Sequence, residues 1–484
     1  MQVTNLTHGR TALLTAGQEV SFDFLLPLHG YERNESIPTL ALPAQVSLGH
    51  TQYLPAELIE RIQSFCSHQD LLTLSTVNKA AFMARFDNPR LQQLCFAAPL
   101  QLKEFLAHYK NIPKTAPHFG ALRVRENFKH IKTLTLVSGN FCSGAHKLFS
   151  YLSEVNTLHF HLFYQGRGRE ERLLKGTEKL PLKKATFTTD YHKKLRYVGC
   201  PLPNTFWQHT TLEALTLRNV PFMAHLPEVI ELKKLTSLEL NNMVMVTDNI
   251  LPNMLAQLVH LEKLIIKKVS AWAFPEEIGQ LKVLTSLKIS AFEFAVRLNF
   301  HSLPASLGQL AKLEKLSIKN IARVKKLPNE VGQLQALKSL QIKDMLHIET
   351  LPISLGHLTC LERLALRRVR GIKALPDEIG HLKALKWLEI EGLDIETLPK
   401  SLGQLSTLEV LQLYSLPKLN EIPAELGQLQ ALKFLKIKEL NALQAFPLSL
   451  EHLKNVHIVV GANLLHLDIP AALKVSIQPS LNKS

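Results

Sequence analysis

Residues 327–350 read LPNEVGQLQALKSLQIKDMLHIET, and residues 351–374 read LPISLGHLTCLERLALRRVRGIKA. The two stretches align without a gap. Their Leu-Pro anchor, with Phe or Ile sometimes replacing Leu, recurs at 202, 226, 251, 274, 303, 327, 351, 375, 398, 422 and 446, at intervals of 24, 25, 23, 29, 24, 24, 24, 23, 24 and 24. A unit this short cannot bury an apolar face alone, so stacked units must share one continuous core. The chain therefore reads as a solenoid and not as several globules.

Within each unit the segment L-x-x-L-x-[IL] alternates with period two, as a short strand does. Leu340 and Ile342 are expected to point inward and Gln341 outward. The Pro is expected just inside a short helical segment, where its missing N–H costs nothing. An acidic residue often follows, as in Glu277, Glu330, Glu378 and Glu425, and suits a helix N-terminus. Gly recurs four residues after the Pro, at Gly279, Gly308, Gly332, Gly356, Gly380, Gly403 and Gly427, which points to a backbone or packing requirement.

This pattern resembles the leucine-rich repeat family over roughly residues 125–465, with the regular part from about 202. The resemblance implies an α/β leucine-rich repeat solenoid of period 23–24, whose strands line a concave parallel sheet that serves as the binding surface. One column departs from the family pattern. Where many such repeats carry Asn or Cys after the strand, this chain has Val220, Met243, Val269, Phe292, Ile321, Met345, Val369, Leu393, Leu416 and Leu440. The turn is then expected to be held by packing, with its backbone groups satisfied in another way. Less regular strands are expected near Ile131, Val155 and Leu182. The basic stretch 167–196 reads as a solvated loop, and the extra residues around SAFEFAVRLNFHS as an insertion whose Phe292, Phe294 and Phe300 pack back on the solenoid.

The outward strand positions carry the basic residues Arg218, Lys263, Lys267, Lys268, Lys288, Lys315, Lys319, Lys343, Arg363, Arg367, Arg368, Lys436 and Lys438. Their acidic members are Glu239, Asp344, Glu389, Glu391 and Glu439. Trp387, Tyr414 and Phe434 share the same surface near its C-terminal end. A face so composed suits an acidic partner with an aromatic anchor patch. Lys on an exposed strand can also serve only solubility and prevent edge pairing. The candidate target-binding set is Arg218, Lys263, Lys267, Lys319, Lys343, Arg363, Arg367, Arg368, Trp387, Tyr414, Phe434 and Lys438.

Ahead of the repeats, residues 54–96 read LPAELIERIQSFCSHQDLLTLSTVNKAAFMARFDNPRLQQLCF, with helical periodicity. Leu58, Ile62 and Phe65 fall on one helix face. Ser67 and Asp70 have capping-box spacing before Leu71, Leu74 and Val77. A third helix is expected over 78–86, ended by Asp87-Asn88-Pro89. Three helices of this size are too little for an independent core. The segment resembles the F-box: Leu54, Pro55, Glu57, Leu58, Ile62, Ser64, Phe65, Asp70, Leu71, Val77, Lys79, Asp87, Pro89 and Leu91 match its pattern, while Ala81 and Phe82 stand where a Trp is usual. The resemblance implies an adaptor-binding surface of Leu54, Pro55, Glu57, Leu58, Ile62, Phe65, Asp70, Leu71 and Val77 for a Skp-type adaptor, and through it a cullin–RING ubiquitin ligase. The same segment can alternatively be a helical cap on the solenoid.

The 484 residues divide into an unassigned segment 1–50, a three-helix F-box-like module 51–98, a helical linker or cap 99–124, irregular repeats 125–201, regular repeats 202–465, and a C-terminal cap or tail 466–484. A net charge of +15 favours acidic partners. No apolar run approaches the ~18 residues of a membrane-spanning helix, and the first twenty residues lack a basic start followed by an apolar core, so no secretory signal is expected. Cys66, Cys95, Cys142, Cys200 and Cys360 show no C-x-x-C spacing, so neither a zinc site nor a disulfide framework is expected; they read as small buried hydrophobes in a reducing compartment. His159 and His161 share a strand face without a third ligand in view. No phosphate loop or nucleophile elbow is present, so no cofactor, no metal and no catalytic activity of its own are expected.

Some bacterial leucine-rich repeat proteins carry a cysteine-based ligase domain after the repeats; with about 20 residues after the last unit, none is expected here. Together the two resemblances imply a substrate-recognition subunit of an SCF-type ubiquitin ligase working in the cytoplasm, with a bacterial effector delivered into a host cell as one possible source. A pure protein-binding scaffold is the alternative, and a solenoid binding anionic lipid or nucleic acid is a third; no RNA motif or zinc finger favours nucleic acid.

Overall fold

The computed structural model describes residues 131–138, 149, 152–163, 177–190, 204–220, 229, 231–243, 250–268, 274–291, 302–321, 323–453 and 455–468, with strand segments at Gln2–Thr4, Thr11–Leu13, Gln93–Phe96 and Val475–Gln478. Residues 92–106 and 129–484 form one compact unit, and residues 1–91 with 107–128 another. In the latter, Gln2–Thr4 pairs antiparallel with Thr11–Leu13.

The larger unit is built on one sixteen-stranded parallel sheet in which every strand lies beside its sequence neighbours, from Gln93–Phe96 to Val475–Gln478. Two of its strands fall where the sequence reading placed other things. Gln93–Phe96, at the end of the segment read as all-α, pairs with Thr133–Leu136. Val475–Gln478, in the segment read as a C-terminal cap or tail, pairs with Ile458–Gly461. The irregular region supplies strands Thr133–Ser138, Thr157–Phe163 and Lys184–Asp190, where strands were expected near Ile131, Val155 and Leu182, so the basic stretch 167–196 is not a loop over residues 184–190.

Register is constant along the regular repeats. Leu264, Leu287, Leu316, Leu340, Leu364, Leu388, Leu411 and Leu435 form one row across adjacent strands, and all are buried. Each fully buried Leu contributes about 2 kcal/mol relative to an exposed one. A one-residue slip would turn both inward rows to solvent, so the alternation itself holds the register. Leu340 and Ile342 are buried and Gln341 is half-exposed, as the period-two pattern predicts.

On the far side of each regular unit lies a five-residue 3₁₀ segment such as Asn329–Gln333. Here the expected position of proline is corrected. Pro328, with φ −64° and ψ 144°, stands before the segment and not inside it. Its carbonyl accepts from the N–H of Val331 at 3.1 Å and so opens the turn. The tighter 3₁₀ turn fits a unit that must return to the sheet within a few residues. The α-helix Ile250–Leu255 is the exception, with Pro252 within its first turn, where the missing donor is tolerated.

The recurrent glycines answer to packing. A Cβ on Gly356 would meet the carbonyl oxygen of Glu378 at 2.6 Å and its Cβ at 2.8 Å. Successive 3₁₀ segments therefore approach more closely than any side chain permits.

The turn after the strand is held in two ways. The apolar column packs inward: Val220, Met243, Ile321, Met345, Val369, Leu393, Leu416 and Leu440 are all buried. The residue before it adopts a left-handed conformation, as at Asn219, Asn242, Lys268, Asn320, Asp344, Arg368, Ser415 and Glu439, with Gly392 taking the same role. The N–H of this residue reaches the next strand, as from Asn320 to the carbonyl of Lys343 at 3.1 Å and from Asp344 to that of Arg367 at 2.9 Å. Backbone bridges thus replace the amide side chains of the usual pattern. Ile321 adds an N–H contact to the Met345 sulfur at 3.2 Å.

A second cluster sits under the irregular repeats. Phe160, Phe187, Phe206 and Trp207 meet edge to face, with ring centroids 4.6–5.9 Å apart. His209 lies 5.3 Å from Phe206, and its Nε2 is 3.4 Å from the Thr177 hydroxyl. Burial pushes the His209 pKa down to about 4, against a smaller opposing pull from Glu178. Cys360 is exposed, contrary to its reading as a buried hydrophobe.

Candidate functional site

Each strand presents its first, third and fifth residues on the exposed face of the sheet. The first positions run in register as Ser237, Lys263, Ser286, Lys315, Ser339, Arg363, Trp387, Val410 and Phe434. The fifth positions run as Arg218, Asn241, Lys267, Ser290, Lys319, Lys343, Arg367, Glu391, Tyr414 and Lys438. All twelve residues of the candidate target-binding set are therefore on or beside one sheet face, but their surroundings divide them.

The arginines near the C-terminal half are engaged internally. Arg367 Nη2 lies 2.7 Å from Glu389 Oε2, and its Nε lies 3.7 Å from Glu391. Arg368 Nε lies 2.5 Å from Asp344, and its Nη1 3.8 Å from Glu391. Both guanidinium pKa values are raised, chiefly by the hydrogen bonds to Glu389 and Asp344 respectively. Arg218 and Lys267 share Glu239 at 3.6 and 3.1 Å, and Lys319 lies 3.8 Å from Asp344. Lys438, counted as part of an exposed basic face, is buried and lies 3.6 Å from Glu439.

Five of the other basic residues lack such a pairing. Among the described residues, Lys263, Lys288, Lys315, Lys343 and Arg363 have no carboxylate within 4 Å in an ion pair. These are the positions with charge to spare for a partner.

The aromatic patch is assembled as its outward positions imply. Arg363 stacks over the Trp387 ring at 4.2 Å, and Lys436 sits 5.1 Å from the Tyr414 ring centre. Phe434 packs beside His457 with centroids 5.6 Å apart. Burial, then the hydrogen bond to Glu391, drives the Tyr414 pKa upward, so its hydroxyl is neutral. His457 and Val410 join this patch although the sequence reading left them out; their place follows once the strand register is known.

Among the described residues no cluster of three or more His, Cys, Asp or Glu is placed to hold a metal. His159 is partly buried, and its pKa is lowered by burial and then by Arg218. No helix among the described residues is long and apolar enough to cross a membrane. Leu54, Pro55, Glu57, Leu58, Ile62, Phe65, Asp70, Leu71 and Val77 lie outside the described residues, as do Phe292, Phe294 and Phe300.

The fold is that of a leucine-rich repeat protein. Residues 364–466 match the family model of the leucine-rich repeat region. Among solved structures, a leucine-rich repeat protein of Leptospira interrogans is similar at 22% identity and a TM-score of 0.53, over 81% of this chain and 93% of that one. An internalin of Listeria monocytogenes is similar at 17% identity and a TM-score of 0.48, over 75% and 97% of the two chains. No curated protein matches the chain.

Proposed function

We propose that this chain is a protein-binding subunit that captures an acidic protein segment on the exposed face of its sheet, and that residues 54–91 dock it to a Skp-type adaptor as the substrate-recognition subunit of a cullin–RING ubiquitin ligase. The observation that carries the capture is the set of cations without an internal carboxylate partner, Lys263, Lys315, Lys343 and Arg363, the last stacked on Trp387, beside the Trp387–Tyr414–Phe434 patch. Unpaired charge steers an acidic partner, and a clustered aromatic surface anchors it. The adaptor role rests on the F-box-like residues Leu54, Pro55, Leu58, Ile62 and Leu71. Catalysis would come from the assembled ligase, and this chain would supply proximity.

Co-purification with a Skp adaptor tests the docking. Leu54→Ala with Pro55→Ala should abolish it; retention would remove the adaptor role and leave a plain binding scaffold. Reversing Lys263, Lys315 and Lys343 to Glu should weaken target capture while adaptor binding persists. Unchanged capture would remove the acidic-partner reading.

A further inference from the structure

The first outward row of the sheet has an order that its composition alone hides. Ser237, Lys263, Ser286, Lys315, Ser339 and Arg363 alternate hydroxyl and cation across six consecutive strands in unbroken register. The row then changes character over the next three strands to Trp387, Val410 and Phe434. Lys263, Lys315 and Arg363 are exposed, and the three serines beside them are half-exposed.

Neighbouring strands lie about 4.8 Å apart, so cations on alternate strands stand about 9.6 Å apart. A polyproline II chain advances about 3.1 Å per residue with three residues per turn, so every third side chain returns to the same face after about 9.3 Å. The two spacings match. We propose that this row holds a peptide in the polyproline II conformation lying across the strands, with carboxylates at every third residue on Lys263, Lys315 and Arg363, followed by apolar side chains on Trp387, Val410 and Phe434. The proposal rests on the reading of this face as the capture surface and names the pattern the surface accepts. Ser286 and Ser339, each between two cations, offer a hydroxyl to the peptide backbone that passes over them. The apolar end favours a polypeptide over a nucleic acid or sulfated glycan, whose charge would continue past Arg363.

Two synthetic peptides of identical composition test this against the full chain by fluorescence anisotropy. One carries Asp at every third residue ahead of a Leu pair; the other carries the same Asp residues contiguously. The spaced peptide should bind roughly tenfold tighter, and Lys315→Glu should remove that advantage. Lys288→Glu, in the neighbouring column, should reduce the affinity for both peptides alike and leave the advantage. Equal affinities, both falling with Lys315→Glu, would overturn the spacing and leave the capture of acidic proteins standing. Binding of neither peptide by a chain that still captures its protein target would overturn the row as the docking element. A heparin fragment binding more tightly than the spaced peptide would replace the polypeptide with a polyanion.

Discussion

Arg367 and Glu389, on adjacent strands, face each other across 2.7 Å, with the Glu389 side chain only 3% exposed and that of Arg367 28%. The pair spans the third and fifth outward columns, so the guanidinium lies over the sheet and does not project from it. An almost buried carboxylate left without its partner is costly. Arg367→Ala should destabilise the chain by about 2 kcal/mol, read as a lowered thermal midpoint. Arg367→Gln together with Glu389→Gln should cost less than the two single changes summed. Additive losses would show that the two residues do not act together.

That pairing changes which cations a partner can use. The outward positions were legible from the period-two alternation, because each strand is local and its leucines declare the inward face. Pairing was not, because Arg367, Glu389 and Glu391 belong to different columns, and whether their long side chains lean together is absent from any column count. The same limit hid the left-handed turn. Asn219, Asn242 and Asn320 hint at it, but Lys268, Arg368 and Glu439 hold the same conformation with side chains that ordinarily avoid it. The alternation of Ser and cation along the first row emerges only once the register is fixed. Proline was placed one step too far into its segment because a five-residue 3₁₀ turn has no interior for it to enter.

His209 gives the chain an acid-sensitive point. Its folded pKa of about 4 lies below the ~6.5 of an unfolded His, so the unfolded chain binds more protons between those values. Stability from this residue is complete above pH 6.5 and is lost as pH falls toward 4. The loss is on the order of 2–3 kcal/mol. His209→Gln should flatten the fall in urea midpoint between pH 7 and pH 5 relative to the parent chain. An identical slope in both would mean that His209 is solvated in the folded state.

The glycine at the close approach of the 3₁₀ segments should tolerate no side chain. Gly356→Ala places a methyl 2.6 Å from the Glu378 carbonyl oxygen, a backbone atom that cannot swing away. The repeats must separate locally, at a cost of about 1–3 kcal/mol. In a solenoid each unit touches only its neighbours, so amide exchange should accelerate around residues 353–381 first. Exchange unchanged there would imply that the segments are loosely packed.

Asn320 separates conformation from side-chain chemistry. Its φ of 56° lies in the left-handed region, and its N–H bridges to Lys343. Glycine adopts this conformation without strain, whereas a β-branched residue does not. Asn320→Gly should leave the thermal midpoint nearly unchanged, and Asn320→Val should cost about 1–2 kcal/mol. Because the bridge is made by the backbone, both variants retain the donor, and the difference between them isolates the conformational strain. Equal losses in the two would instead assign the effect to the Asn320 amide. The turn at that unit would then be held by its side chain, as in the Asn-bearing repeats that this chain otherwise departs from.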